Sequence, residues 1–143
     1  GDYTFGENAM SYLVKMNELC KENGVELILV KAPSLYPYWY DEWEEQVEVF
    51  AKENDLKYYN FLKATDEIGL DFTEDTYDAG LHLNLSGAEK LSRYFGRILS
   101  EECGIESRRG EDALEAQWDV KRQAYEADRD AQYAALAETD GQP

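Results

Sequence analysis

Basic side chains are scarce in this sequence: 14 lysines and arginines face 31 aspartates and glutamates, which leaves a net charge of −17. A surface of that sign repels polyanions, so the composition argues against nucleic acid or an anionic membrane surface as a partner. The sequence also has no long apolar run and does not open with a basic and apolar leader. We therefore expect no signal peptide and no membrane contact from this segment, and the compartment stays unknown.

Cysteine and histidine are nearly absent as well. Cys20 and Cys103 are too few for a disulfide framework and lack metal-ligand spacing, so we expect two small core residues. His82 is the single histidine, and the aspartates that precede it match no defined calcium loop. One histidine is also few for zinc, so we expect neither a metal nor a cofactor.

Apolar residues make up 43% of the chain, enough for one modest globular domain. Their spacing predicts alternating helices and strands, which is typical of an α/β fold with a parallel sheet. Ligands bind such sheets at the carboxyl ends of the strands, which are the loops that begin at Lys31 and Leu62. The predicted order is a helix over 7–23, a strand over 25–30 covered on both faces, a helix over 41–54, a strand over 57–61 and a helix from about residue 87.

The second of those loops ends in the segment Asp78-Ala-Gly-Leu-His82-Leu-Asn84-Leu-Ser86. Histidine exchanges protons near neutral pH, and an aspartate four residues earlier can orient its ring. Ser86, followed three positions later by a glutamate, predicts a capping box at the start of the last helix. The structural alternative is that His82 and Asn84 merely hydrogen-bond the entry of that helix.

The stretch from Asp78 to Lys90 resembles the last conserved block of the SGNH (GDSL-type) hydrolase superfamily, and its His-Leu-Asn continuation is similar to a clostridial branch. The resemblance implies that His82 is the general base for a serine nucleophile and that Asp78 is its acidic partner. Three residues separate Asp78 from His82, where the usual motif has two. Asp75 is therefore the alternative acid.

The resemblance also implies a domain organisation. Residues 1–106 would be the C-terminal portion of a three-layer, parallel-sheet domain of the flavodoxin-like SGNH type, because only two of its strands are visible. Residues 107–143 would be a charged, alanine-rich helical extension. The resemblance thus implies the C-terminal part of an esterase or O-acyltransferase that acts on small-molecule or carbohydrate esters, with the cell envelope as the place that the family suggests for the parent protein. Its nucleophilic serine is expected on upstream sequence, so we expect the isolated chain to be inactive.

Four further residues are candidates for the nucleophile and for substrate binding. Ser34, just after the first strand, is the alternative nucleophile within this chain, although Ala-Pro-Ser is not a nucleophile elbow. Tyr36 and Tyr38 are candidates for substrate binding because rings with a polar tip stack on sugars, and Asn84 is a third. A non-catalytic alternative remains: a binding domain that forms a homo-oligomer through its C-terminal helix. The broken apolar stripe of that helix comprises Leu114, Trp118, Tyr125, Tyr133 and Leu136.

Overall fold

The computed structural model describes residues 1–140, so the last three residues of the predicted extension, 141–143, lie outside the described residues. The chain is a mixture of helices with one small sheet, and it divides into a first unit, Gly1–Glu67, and a second unit, Ile68–Pro143. The elements are α1 (Glu7–Glu22), β1 (Ile28–Lys31), α2 (Asp41–Glu53), β2 (Lys57–Asn60), α3 (Thr65–Ile68), α4 (Leu85–Glu101) and α5 (Asp112–Asp140).

The first unit contains the sheet. Strands β1 and β2 are parallel and in register from Ile28 opposite Lys57 to Lys31 opposite Asn60, which confirms the predicted parallel pairing. Helix α2 connects the two strands, as parallel neighbours require a crossover. The carboxyl ends of both strands therefore lie at one edge of the sheet.

Both connections into the strands use the same local geometry. Gly24 has a φ of 64° after α1, and the N–H of Val25 donates back to the carbonyl of Cys20 at 2.8 Å. Asp55 has a φ of 54° after α2, and the N–H of Leu56 donates to the carbonyl of Ala51 at 2.8 Å. A left-handed residue of this kind ends a helix and turns the chain toward the next strand.

Burial in the first unit is modest. Phe50, Ala51 and Phe61 are its buried apolar residues. Val30 remains 45% exposed, so the expectation that the first strand is covered on both faces is wrong for this chain. With two strands in the sheet, each strand has a neighbour on one side only, and side chains at such an edge keep contact with solvent.

The second unit consists of a long loop followed by α4 and α5. The predicted C-terminal helix is present, and it meets α4 through polar contacts. Leu85 N–H donates to Gln132 Oε1 at 3.2 Å, and the Tyr125 hydroxyl donates to Glu89 at 3.1 Å. Trp118 is left 60% exposed and Tyr133 43% exposed, so the apolar stripe of α5 remains largely open to solvent within the described chain. None of the described helices is long and apolar enough to cross a membrane.

Candidate functional site

The loop before α4 is closed by a short hairpin-like pairing. Thr76 and Leu83 form an antiparallel bridge, and Tyr77 N–H donates to the carbonyl of His82 at 3.0 Å. The chain reverses at Ala79 and Gly80, whose φ angles of 56° and 103° lie in the region that glycine adopts most readily. This reversal brings His82 back beside the residues that precede the turn.

The hairpin places the predicted base and acid together. One carboxylate oxygen of Asp78 lies 2.7 Å from Nδ1 of His82, and the other accepts the backbone N–H of His82 at 2.7 Å. Two contacts between the same residues hold the ring in one orientation. The His82 side chain is 71% exposed and that of Asp78 is 40% exposed, so Nε2 is on an accessible surface. An imidazole held at Nδ1 by a carboxylate presents Nε2 for proton transfer.

Asp78 stays ionised in this arrangement. Hydrogen bonds from the His82 ring and from the His82 backbone N–H hold the pKa of the Asp78 carboxyl below its ordinary value. Both bonds favour the charged form of the acid. The carboxylate can therefore orient the imidazole and stabilise a positive charge on it.

Asp75, the alternative acid, is committed elsewhere. It is 1% exposed, and its two oxygens accept from Ser86 Oγ at 2.6 Å, from Lys90 Nζ at 2.6 Å and from Asp71 N–H at 2.9 Å. Burial raises the pKa of the Asp75 carboxyl, but the hydrogen bonds from Lys90 and Ser86 outweigh burial and the pKa is lowered. Asp75 therefore ties the loop to α4, while Asp78 contacts the histidine.

The start of α4 differs from the predicted capping box. The helix begins at Leu85, two residues early, and its N-cap is Asn84, whose side chain accepts from Gly87 N–H at 3.1 Å. The hydroxyl of Ser86 lies 2.6 Å from Asp75 Oδ1 and 2.8 Å from Asn84 Oδ1, so these two acceptors share its one proton. Asn84 also donates to the carbonyl of Glu74 at 2.7 Å and is 4% exposed. The reason for the shift is tertiary: the hydroxyl of Ser86 is recruited by a buried carboxylate from the loop.

Gly87 is required by this packing. A β-carbon at position 87 would lie 2.4 Å from the carbonyl oxygen of Asp75, a distance at which the backbone has to move. That carbonyl also accepts the N–H of Asn84 at 3.0 Å. The first turn of α4 and the loop are thus in direct backbone contact.

The remaining predicted residues lie in the first unit. Ser34 donates its hydroxyl to the carbonyl of Tyr36 at 2.7 Å, so the structure uses it to shape its own turn. Tyr36 and Tyr38 are 58% and 68% exposed, and Tyr38 packs edge-on against Tyr40 with ring centroids 4.8 Å apart. Both tyrosines thus offer ring surface to solvent.

A buried carboxylate in the first unit escaped sequence analysis. Glu44 is 4% exposed, and its Oε2 accepts from Trp39 Nε1 at 2.6 Å, from the Tyr58 hydroxyl at 2.8 Å and from Asn60 Nδ2 at 2.6 Å. Burial raises the pKa of Glu44, yet these bonds and Lys63, 3.1 Å from Oε1, lower it overall. The cluster joins Trp39, in the loop before α2, to Tyr58 within β2 and Asn60 at its carboxyl end. Glu44 stands among other glutamates of α2, so no sequence signal separates it from solvent-facing acids.

Across the part of the chain that the structure describes, no three histidine, cysteine, aspartate or glutamate side chains converge as they would around a metal ion. Cys20 and Cys103 are free thiols, each partly exposed.

Comparison with known proteins gives no family for this chain. No protein-family model, no curated protein and no solved structure matches it. A functional proposal therefore rests on the geometry of the loop and on the chemistry of its side chains.

Proposed function

We propose that this chain is the C-terminal part of a serine-dependent, SGNH-like esterase or O-acyltransferase, with His82 as general base and Asp78 as its acidic partner. The observation that carries the proposal is the doubly bonded Asp78–His82 pair, which leaves Nε2 accessible. We further propose that β1 and β2 belong to a three-layer, flavodoxin-like sheet whose other strands lie on sequence outside residues 1–143.

The chemistry would follow the course of serine acyl transfer. Nε2 of His82 takes the proton of the serine hydroxyl as its oxygen attacks the ester carbonyl. The tetrahedral intermediate then collapses, the C–O bond of the ester breaks, and the imidazolium returns its proton to the departing alcohol. Water or an acceptor hydroxyl attacks the acyl-serine in the same way, which separates a hydrolase from a transferase. Asp78 remains a carboxylate throughout and stabilises the charged ring.

The substrate would be a small-molecule or carbohydrate ester. Exposed tyrosine rings such as those of Tyr36 and Tyr38 suit stacking on a sugar face, which supports this class. Asn84 fits a different role from the one expected, since its side chain is buried and occupied by the cap of α4. We assign it to positioning the loop rather than to contacting substrate.

The nucleophile is proposed to lie outside residues 1–143. Ser34 donates to a carbonyl in its own turn, and Ser86 shares its proton between Asp75 and Asn84, so neither is poised as an activated hydroxyl. A serine is activated as a nucleophile when its hydroxyl donates a hydrogen bond to a general base. The isolated chain should therefore show no esterase activity.

A fluorophosphonate probe tests the proposal, because it forms a covalent bond only with an activated serine. The probe is applied to the 143-residue chain and to the complete product of its reading frame, and the labelled serine is mapped by mass spectrometry. We expect no label on the 143-residue chain and one labelled serine upstream in the complete product. His82→Gln should abolish the labelling, since the hydroxyl then has no base.

Tyr77→Phe is the matched control, because Tyr77 lies in the same loop and is 68% exposed. It should leave the labelling unchanged. Labelling that survives His82→Gln, or a complete product that takes no label, would contradict the enzyme proposal. Label on Ser34 would instead place the nucleophile in this chain.

A second candidate function is a non-catalytic interaction domain that forms a homo-oligomer through α5. It is favoured by the exposure of Trp118 and Val120, which are 60% and 70% exposed on that helix. Sedimentation equilibrium of the 143-residue chain, together with fluorophosphonate labelling, distinguishes the interaction domain from the enzyme. A dimer that dissociates in Trp118→Ala, with no serine labelled in the complete product, would favour the interaction domain.

A further inference from the structure

Positive charge in this acidic chain is concentrated in one stretch of α4. The segment 90–100 contains Lys90, Arg93 and Arg97 and no acidic residue, although acids outnumber bases more than twofold in the whole sequence. All six arginines of the chain lie between residues 93 and 129. A helix face of this composition stands out against the net charge of −17.

The three cations share one face of α4. Their spacing of three and four residues places them in a row along the helix. They line one pocket of about 490 Å³ together with Tyr94 and Ile68. The pocket thus has two guanidinium groups and one ammonium group on one side, with a ring and an aliphatic side chain beside them.

The two arginines are only loosely engaged by neighbouring groups. Arg93 lies 3.7 Å from Glu89 and its side chain is 69% exposed, a kind of surface pair that contributes little to stability. The Arg97 guanidinium stacks over the ring of Tyr94 at 5.8 Å, which orients it without neutralising it. Lys90 is held 2.6 Å from the buried Asp75, so its ammonium is fixed at the inner end of the row.

We infer that this pocket binds a phosphate group, either as free phosphate or as a phosphate monoester of a small organic molecule. Arginine forks match the oxygens of phosphate in pairs, and a lysine ammonium adds a point charge. The two guanidinium forks match two pairs of oxygens, which phosphate offers and a single carboxylate does not. Lys90, whose ammonium already bonds Asp75, has further N–H donors for the same anion. Tyr94 and Ile68 would receive the organic part. The inference does not depend on the proposed function.

A second groove, beside α5, provides the contrast, and its basic lining residues are Arg108, Arg109, Lys121 and Arg122. It also contains arginines, but Arg108 forms a paired contact with Glu111 at 2.8 and 2.6 Å. Arg122 bridges Asp119 at 3.0 Å and Glu126 at 3.2 Å. Neighbouring carboxylates in the sequence thus already occupy those two guanidinium groups. A phosphate would have to displace them, so Arg108 and Arg122 should bind it less well than Arg93 and Arg97 do.

Titration of the 143-residue chain with inorganic phosphate, followed by ¹H–¹⁵N NMR at constant ionic strength, tests the inference. We expect saturable shifts of the Nε–Hε signals of Arg93 and Arg97 and of the α4 amides near them. Arg97→Gln should weaken binding by about tenfold, because it removes one charge-assisted pair of hydrogen bonds. Arg122→Gln, the matched loss of an exposed arginine on α5, should leave the dissociation constant unchanged.

Phenyl phosphate distinguishes the two sources of the anion. Tighter binding of phenyl phosphate than of inorganic phosphate would identify a phosphate monoester as the ligand, and equal binding would identify free phosphate. Shifts that do not saturate, or that are as large at Arg122 as at Arg97, would overturn the inference. So would an unchanged dissociation constant in Arg97→Gln, whose helix content is checked by circular dichroism.

Discussion

Two aspartates three residues apart in the same loop have opposite environments. Asp75 is 1% exposed and accepts hydrogen bonds from a lysine, a serine and a backbone N–H, whereas the side chain of Asp78 is 40% exposed and is hydrogen-bonded to the ring of His82. Both pKa values are lowered. The same direction of shift therefore arises from two different causes, a buried polar network and a surface pair.

The difference separates the part of the loop that maintains structure from the part that can perform chemistry. A buried carboxylate that accepts three hydrogen bonds is costly to disturb and offers no accessible site to a substrate. A surface carboxylate bonded to one imidazole leaves the far side of that ring accessible. Asp78 is accordingly the acid that we propose as the partner of His82, and Asp75 is the residue that ties the loop to α4.

Removing the buried carboxylate should give the largest effect. Asp75→Asn leaves Lys90 without its partner and places an amide where Asp71 N–H needs an acceptor. We expect a loss of about 3 kcal/mol in the free energy of unfolding, the lower end for a broken buried pair because Lys90 is partly exposed. Urea unfolding followed by circular dichroism measures it. Asp78→Asn, the exposed counterpart, should leave the unfolding midpoint unchanged.

The pH dependence of the unfolding free energy, compared between wild type and Asp75→Asn, tests the role of the buried carboxylate more closely. The folded pKa of Asp75 lies below its unfolded value of about 3.9, so its stabilisation is complete above that pH and is lost as pH falls through the folded pKa. The stability difference between wild type and Asp75→Asn should therefore shrink below about pH 4. A difference that stays constant down to acid pH would show that the Asp75 charge is not stabilising.

Gly87→Ala should give the next largest effect. Its β-carbon would lie 2.4 Å from the Asp75 carbonyl oxygen, so the loop and the first turn of α4 must separate. We expect a loss of about 2 kcal/mol in unfolding free energy, typical of overpacking. Gly96→Ala is the control on the same helix, because its β-carbon would have no atom within 4 Å. That variant should be more stable by about 0.5 to 1 kcal/mol, since alanine is the better helix former.

Changing the histidine should give the smallest effect on stability and a local effect on ionisation. His82→Gln removes the ring bond to Asp78 but keeps the bond from the backbone N–H. The pKa of the Asp78 carboxyl should then rise part of the way toward its ordinary value, while that of Asp75 stays where it is. Carbon-13 NMR titration of the aspartate carboxyls measures both in one experiment. An unchanged Asp78 would show that the pair does not form in solution.

Much of the fold could be predicted because local chemistry determines it. Apolar spacing located every long helix and both strands, and Gly24 marked the end of α1. The parallel pairing followed from the alternation of helices and strands. The exposure of Val30 could not be predicted, since an apolar run of strand length is read as buried, and burial depends on how many strands flank it.

The contact between Asp78 and His82 could be predicted from the sequence, but the hydrogen bonds that hold the loop against the start of α4 could not. A spacing of four residues allowed Asp78 to reach His82, and the hairpin reversal at Ala79 and Gly80 realises that contact. Ser86 looked like a cap because its spacing to Glu89 fits a capping box, yet the buried Asp75 takes its hydroxyl and Asn84 becomes the cap. The sequence alone does not show that a residue eleven positions away accepts the hydroxyl of Ser86.

The contact of Asp75 with both its own loop and α4 also has a dynamic consequence. Its carbonyl and both carboxylate oxygens accept from Asn84, Ser86, Lys90 and Asp71, so the loop cannot lift away without the first turn of α4 unwinding. Elements that share such bonds open as one cooperative unit. The amides of the loop and those of the first turn of α4 should therefore exchange with solvent deuterium at matched rates. Between such openings, His82 stays in its position on the surface.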